Sequence, residues 1–555
     1  MTHTPLKRFI NLLKLDRKDI YQIFFYAIFA GLVSLSLPLG IQAIINLIQS
    51  GRVSTSWVVL VVVVVLGVSL IGILSLMQLR ITENLQQKIF VRSSFEFSYR
   101  LPKIRLRELY DKYPPELANC FFDTMTIQKG TSKLLIDFST ALLQIIFGIL
   151  LLSLYHAFFI LFGALLLLLL YCIFRFSYQS GLRTSLKESK YKYKVAGWLQ
   201  EIARNNNSFR RRENFNFSLY KNDKIVAAYI DNREKHFGVI RRQYIQLIVF
   251  KIIITAGLLI IGGLLVMNQQ MNIGQFVAAE IIILLVINSV EKIITGLETL
   301  YDVLTAVEKI GQITDLQTET PDIKNQHCVF DSITLETANL KFRFPDAADY
   351  TLHDISLKIE PGERILLRGE NGSGKTTLLR VLSGLLEPSF GAVFINDDTY
   401  KKMDLAQYRS HIGVIIHGET PFEGSVLENI TFNNPDVMHE DVKWAIEAVG
   451  LGGFIKSLPK GLETRIHPEG HQLTSSNAQK ILLARSIVTR PRILFYEDPT
   501  DKMDDGAARD IIDFITDARH PWTVMVSSRN PYWEAHSSRV ITMQQGQIVE
   551  DKKRR

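Results

Sequence analysis

Apolar residues gather in six long runs, at about Ile20–Ile48, Trp57–Leu79, Leu134–Leu154, Phe158–Phe176, Ile245–Met267 and Ile273–Ile294. Each is long enough to cross a hydrocarbon core, which takes roughly 20 helical residues. The gaps between them alternate in size. Gln49–Ser56, Tyr155–Ala157 and Asn268–Asn272 are short and hold one basic residue, Arg52. The stretches near Arg80–Lys133 and Ser177–Arg242 are long and crowded with Lys and Arg, among them Arg100, Lys103, Arg105, Arg107, Arg210, Arg211 and Arg212. Basic residues collect on the cytosolic side of short membrane-protein loops, so this pattern predicts that both long loops and both termini lie in the cytosol.

The long loops keep helical spacing at Leu106-Arg107-Glu108-Leu109-Tyr110 and at Val195–Ile202. We expect the membrane helices to continue into the cytosol and each loop to turn through a short crosswise helix, near Tyr113–Asp123 and Lys194–Ala203. Amphipathic helices lying on the membrane surface are the alternative. Inside the spans, Glu280, Asn288 and Glu291 fall near one face of the sixth, and Gln42 and Asn46 near the end of the first. Such residues are costly in lipid, and either line a cavity or bond a neighbouring helix.

Composition agrees with a membrane protein: 47% of residues are hydrophobic and the mean hydropathy is +0.13. The net charge of +8 is mostly a topological excess in the long loops, and nucleic acid is not an expected partner. Cys120, Cys172 and Cys328 are scattered, with no metal-ligand or disulfide spacing. The segment Met1–Asp19 is basic and has neither the apolar core nor the cleavage site of a signal peptide.

After the sixth span the pattern changes. Asp315–Cys328 is polar and contains Pro321, as a linker would. Beyond it come short apolar runs alternating with helical ones, an α/β pattern. Within it stands Gly369-Glu370-Asn371-Gly372-Ser373-Gly374-Lys375-Thr376, which fits G-x-x-x-x-G-K-[ST] between a strand-like and a helix-like run. Glycines let backbone N–H groups cradle phosphate oxygens at a helix start, where Thr377 continues the first turn. Lys375 can reach the β and γ phosphates of ATP, and the Thr376 hydroxyl can ligate Mg²⁺.

From here the chain resembles the ATP-binding cassette of ABC transporters, in order and over nearly the whole segment. Phe342-Arg343-Phe344 looks like the loop whose aromatic stacks on adenine, which assigns Phe344. Ser383–Pro388 with Gly391, Ile412-Gly413-Val414, Phe422–Ile430, Leu483–Ser486, Arg492–Phe495 and Gly546–Glu550 match further family segments. Six spans followed by one cassette resemble an ABC exporter half-transporter. Ser34–Gly40 and Ile273–Val277 add a likeness to bacterial exporters of peptides or proteins. The resemblance implies an α-helical six-span transmembrane domain over residues 1–318, a linker at 319–328, and an α/β P-loop NTPase over 329–555. The latter would have a RecA-like core with antiparallel β and helical subdomains. About 20 residues before the first span leave no room for a Cys–His peptidase domain.

Four departures from the family stand out. His417 occupies the place of a Gln that contacts Mg²⁺ and the attacking water. The signature L-S-G-G-Q reads Leu473-Thr474-Ser475-Ser476-Asn477. The Asp-Glu pair is inverted as Glu497-Asp498, so Glu497 would hold Mg²⁺ and Asp498 would orient water with a side chain one methylene short. A misplacement of about 1 Å can cost on the order of 100-fold in rate. The switch His aligns with Arg529, which neutralises phosphate but exchanges no proton at neutral pH, or with Ser528 if the gap is placed differently. Cassettes of this family pair so that each ATP lies between one phosphate loop and the other signature. A homodimer would be weak at both sites, and a heterodimer with an intact partner would have no fully consensus site. We therefore expect a dimeric inner-membrane exporter whose degenerate motifs leave it with weak ATPase activity; the alternative is an ATP-binding but non-hydrolysing regulatory or structural half of a heterodimeric transporter or secretion complex. A periplasmic adaptor is a candidate partner.

Overall fold

The computed structural model describes residues 4–49, 55–211, 216–319, 330–345 and 347–554. The chain divides into two units, Met1–Pro102 with Lys112–Leu316, and Lys103–Asp111 with Gln317–Arg555.

The first unit is helical. Its described helices are α1 (Pro5–Leu15), α2 (Arg17–Ser34), α3 (Ser36–Gln49), α4 (Thr55–Arg100), α5 (Pro114–Asn119), α6 (Asp123–Tyr155), α7 (Phe158–Arg204), α8 (Asn206–Arg211), α9 (Phe217–Gly257), α10 (Gly263–Met267) and α11 (Ile273–Thr314). Six stretches are long and apolar enough to cross a membrane: Arg17–Gln49, Thr55–Lys103, Pro114–Tyr155, Phe158–Arg204, Phe217–Met267 and Ile273–Thr314. Each run read from the sequence falls inside one of them. The 46 residues of α4 extend roughly 70 Å at 1.5 Å per residue, more than twice a hydrocarbon core of ~30 Å. The helices therefore continue beyond any bilayer, as the spacing in the loops predicts.

One expectation is corrected. Lys194–Ala203 is not a crosswise helix but part of α7, and the short helix is α8, further on. Gly197 alone costs only about 1 kcal/mol and does not stop a helix of otherwise good formers. The stop is set by Asn205, whose side-chain amide donates to Glu201 O (3.2 Å) and Glu201 Oε1 (2.6 Å), the competition with helix bonding that Asn side chains offer. The other candidate, Tyr113–Asp123, contains α5 and the turn leading into α6.

Helix α11 packs along α6. Small residues allow the approach: a Cβ on Gly130 would lie 2.3 Å from Val303 Cγ2, and one on Gly148 2.7 Å from Val286 Cγ2. Close packing of this kind replaces the hydrophobic driving force that lipid removes. Polar residues inside the spans find partners across helices. Glu291 pairs with Lys251 at 2.7 Å, Gln144 accepts from Ser289 at 2.8 Å, and Gln42 accepts from Tyr155 at 2.5 Å. For Glu291 and Gln42 the interhelical reading is thus the one realised, while Asn288 is exposed in the single chain.

The second unit holds twelve described strands: β1 (Leu335–Phe342), β2 (Leu352–Ile359), β3 (Arg364–Arg368), β4 (Phe390–Ile395), β5 (Asp398–Thr399), β6 (Ile412–Ile415), β7 (Gly424–Ser425), β8 (Arg465–Ile466), β9 (Ile493–Glu497), β10 (Thr523–Ser527), β11 (Arg539–Gln544) and β12 (Gln547–Lys553). The main sheet runs β12-β11-β3-β10-β9-β6. It is parallel except for β12, which pairs antiparallel with β11. A second, antiparallel sheet runs β2-β1-β4-β5. The helices are α12 (Lys375–Leu382), α13 (Leu405–Ser410), α14 (Val426–Thr431), α15 (His439–Ala448), α16 (Gly452–Ser457), α17 (Ser475–Ile487), α18 (Asp505–Thr516) and α19 (Pro531–Ala535). β3 and β9 are almost wholly buried, which explains their continuous apolar runs. Both aim their C-terminal ends at one edge, where an open α/β sheet binds its ligands.

The stretch Lys103–Asp111, between α4 and α5 in sequence, belongs to this unit. Arg105 N donates to Gln317 O at 3.0 Å and Glu319 N to Lys103 O at 2.8 Å. The expected linker at 319–328 lies, apart from Glu319, outside the described residues.

Candidate functional site

The phosphate loop leaves the end of β3 and enters α12. Two of its glycines are fixed by space as well as conformation. Gly369 has φ +149° and a Cβ there would lie 2.2 Å from Met543 O; Gly374 has φ +97° and its Cβ would lie 2.9 Å from Leu352 Cδ2. The loop lines a cavity of about 510 Å³ with Gly369, Asn371, Gly372, Ser373, Gly374, Lys375, Thr376, Thr377, Glu497, Asp498 and Arg529. Glu370 stands beside it, its carbonyl accepting from Lys375 Nζ at 2.8 Å; Gly369 O accepts from the same ammonium at 2.8 Å. Burial pushes the Lys375 pKa down, and the Arg529 charge adds to this; Asp498 and Glu497 oppose it.

Glu497 ends β9 and joins three parts of the site. Its Oε1 accepts from the Thr376 hydroxyl and its Oε2 from His417 N at 3.0 Å. Hydroxyl and carboxylate oxygens are the hard donors that Mg²⁺ takes, so Thr376 and Glu497 fit the metal that the phosphate loop implies. His417 meets this group through its backbone, and its side chain lies outside the loop's cavity. It lines a neighbouring cavity of about 290 Å³ with Glu419, Ser475, Gln479, Glu497 and Asp498. Burial raises the pKa of Glu419 there.

Asp498 sits just past the strand at φ +44°, a left-handed conformation that Asp tolerates better than most side chains. Its backbone is held on both sides. Asp498 N donates to Ser527 O at 2.8 Å, and Asp498 O accepts from Gln479 Nε2 at 2.9 Å. Its carboxylate accepts from Arg529 N at 3.3 Å. The Arg529 guanidinium in turn bonds Asn371 Oδ1, so the residue aligned with the switch position reaches back to the phosphate loop.

The signature residues start a helix. Thr474 is the N-cap of α17, its Oγ1 accepting from Asn477 N at 3.2 Å. Ser475 and Ser476 form the first turn, and Leu473 lines the second cavity. Thr474, Ser476 and Asn477 line neither cavity. Phe344 also lies outside both. It is half-buried, edge-on to Phe342 (5.0 Å between ring centroids) and to Tyr110 (4.9 Å). Its neighbour Phe342 is tied to the site by Thr351, which lines the loop's cavity and donates its N–H to Phe342 O at 2.7 Å.

Sequence reasoning missed Thr351, Asn530 and Gln479. Gln479 carries no distinct signal, because α17 also holds Asn477, Lys480 and Arg485. Thr351 carries none, because only the folded strand end brings it to the loop.

The family described as "ABC transporter" matches residues 352–501. Taken with the six candidate spans, the chain has the architecture of an ABC exporter: membrane helices and an ABC nucleotide-binding domain on one polypeptide. Its fold matches a bacterial Atm1-family ABC exporter with ATP bound, at a TM-score of 0.82 over 97% of this chain and 95% of that one, with 18% identity. In sequence it resembles secretion-type relatives. It is 28% identical over 337 residues to the exotoxin translocation ATP-binding protein PaxB of Pasteurella aerogenes, covering 59% of this chain and 46% of the relative. To the cyclolysin secretion/processing ATP-binding protein CyaB of Bordetella pertussis it is 28% identical over 299 residues, covering 54% and 42%. The leukotoxin translocation ATP-binding protein LktB of Mannheimia haemolytica is 27% identical over 340 residues, with 60% and 47% covered. The chain thus matches less than half the length of each of these relatives.

Proposed function

We propose that this chain is an ATP-dependent export half-transporter of the inner membrane, working as a dimer and hydrolysing ATP slowly. The observation that carries this reading is the junction at Glu497, where the phosphate-loop hydroxyl of Thr376 and the backbone of His417 converge on one carboxylate. In this reading residues 1–318 form the membrane domain, 319–328 the linker and 329–555 the cassette. The termini and cassette face the cytosol, in keeping with the basic long loops.

Lys375 and the loop's backbone N–H groups bind the β and γ phosphates, and Phe344 stacks on adenine. Bound Mg²⁺, held by Thr376 and Glu497, would neutralise developing phosphate charge. Asp498 orients the attacking water from a short side chain that is already engaged by the Arg529 backbone. His417 and Arg529 fill the places of family residues with chemically different groups. Leu473-Thr474-Ser475-Ser476-Asn477 completes the site of a partner cassette across the dimer. Each change bears on transition-state positioning more than on ground-state phosphate binding. The printed names of the relatives favour a peptide or protein as the exported substrate, with a periplasmic adaptor as a candidate partner.

The test is equilibrium MgATP binding and phosphate release by the full chain in lipid nanodiscs. Binding with turnover well below one per second is expected. Several turnovers per second, within the ordinary enzyme range of about 1–10³ s⁻¹, would overturn the slow-engine reading.

A further inference from the structure

Tyr110 is the point where the stretch between α4 and α5 meets the aromatic ring assigned to adenine. Lys103–Asp111 is fastened to the second unit at both backbone and side chain. Besides the bonds to Gln317 and Glu319, Ile104 bridges Thr318, and Arg105 lies 3.6 Å from Glu387. Leu106 and Tyr110 then pack on the buried core beneath β1 and β2. There the Tyr110 ring stands edge-on to Phe344, with centroids 4.9 Å apart and planes at 84°. Phe342 takes the other contact, at 5.0 Å and 87°. Phe344 is therefore held between two perpendicular rings, one two residues back at the end of β1 and one from a distant stretch of chain. Phe342 is buried in the core; Tyr110 is half-buried and is supplied by the stretch between α4 and α5.

The Tyr110 hydroxyl is buried. Burial raises its pKa, opposed by the charge of Arg380 on α12, the helix that begins with Lys375, and by a hydrogen bond with the Arg380 side chain. What Phe344 meets in this residue is its ring.

We propose that Tyr110 is a positioning residue for the adenine platform: it fixes the ring plane of Phe344, and so ties base binding to the stretch between α4 and α5. This rests on the reading of Phe344 as the adenine-stacking residue. An edge-to-face aromatic pair of this kind corresponds to about a fivefold change in an equilibrium constant. The loss should fall on ligands that carry a base and spare those that carry only phosphates, because Lys375, Thr376 and the loop backbone are untouched.

The experiment compares ATP with inorganic tripolyphosphate, each with Mg²⁺, by titration calorimetry on the full chain in nanodiscs. Tyr110→Ala is expected to weaken ATP about fivefold and leave tripolyphosphate unchanged. Tyr110→Phe, which keeps the ring, should bind both as the native chain does. Phe344→Ala is run alongside. If Phe344→Ala weakens ATP alone but Tyr110→Ala does not, the positioning role is wrong and the adenine assignment stands. If Phe344→Ala leaves ATP unchanged, the adenine assignment falls and takes the proposal with it. Equal loss of ATP and tripolyphosphate in Tyr110→Ala would mark the residue as merely structural and also overturn the proposal.

Discussion

Arg529 donates through its guanidinium to Asn371 Oδ1, closing a contact between the loop after β10 and the phosphate loop. Its backbone N–H meanwhile reaches Asp498 Oδ1 at 3.3 Å. A permanently charged group thus stands beside Lys375, at the place where a triphosphate would lie. Hydrogen bonds to charged groups contribute about 1.5–3 kcal/mol. Arg529→Ala should therefore weaken ATP binding by roughly tenfold or more, while adenosine binding stays the same. Calorimetric titration with both ligands checks this; an unchanged ATP affinity would show that Arg529 never meets phosphate.

Lys375 is the harsher test of the same cavity. Its ammonium is desolvated and held by the carbonyls of Gly369 and Glu370. Lys375→Ala removes the one lysine that lines the cavity among the described residues, and ATP binding should fall below detection at millimolar nucleotide. Native affinity in that variant would make the loop vestigial.

Within the spans, the Lys251–Glu291 pair tests how the membrane helices tolerate charge. Both side chains are about one-third exposed, at 34% and 33%. Removing one partner leaves the other charge uncompensated in an apolar setting, which costs more than removing both. Glu291→Leu alone should lower the thermal unfolding midpoint in detergent more than Lys251→Met with Glu291→Leu together. A double variant less stable than either single one would show that the two residues do not act as a pair.

The α8 helix offers a test of the dimer. In an exporter whose cytosolic loops cross between protomers, Asn206–Arg211 is the segment to reach the partner's cassette near Phe422. Cysteines introduced at Ser208 and Phe422 should crosslink into dimers on oxidation in native membranes. Crosslinks confined to a single chain would argue against the exchange.

Much of this arrangement was legible because its signals are local. Spans announce themselves by apolar length, and the phosphate loop by glycines at positions where a Cβ has no room, as at Gly369 and Gly374. The position of the second short helix is not legible in the sequence because the helical spacing of Val195–Ile202 belongs to α7, while α8, with Phe209 as its one apolar residue, shows no such spacing; the Asn205 side-chain bonds to Glu201 decide where α7 stops. The contact of Tyr110 with Phe344 could not be read at all. It joins positions far apart in sequence through the packing of one unit, and neither residue carries a local mark of it. Asp498 lies between these cases. Its identity was plain, but its left-handed backbone and its bond to Arg529 N appear only in the fold.

That backbone bears on the last prediction, which concerns catalysis. Asp498→Glu with Arg529→His restores the longer carboxylate and a group able to exchange protons near neutral pH. Because both changes act on the positioning of water and γ-phosphate, kcat should rise more than ATP affinity changes. The left-handed φ at position 498 favours Asp over Glu, so the double variant should also be slightly less stable than the native chain. Its gain should remain partial in a homodimer until Ser475 and Ser476 also become Gly, since the opposing signature completes each site. Phosphate-release rates of the native, double and quadruple variants in nanodiscs, with ATP affinities measured alongside, order these effects. A double variant no faster than the native chain, or a quadruple variant no faster than the double, would show that the slow step lies elsewhere than in these residues.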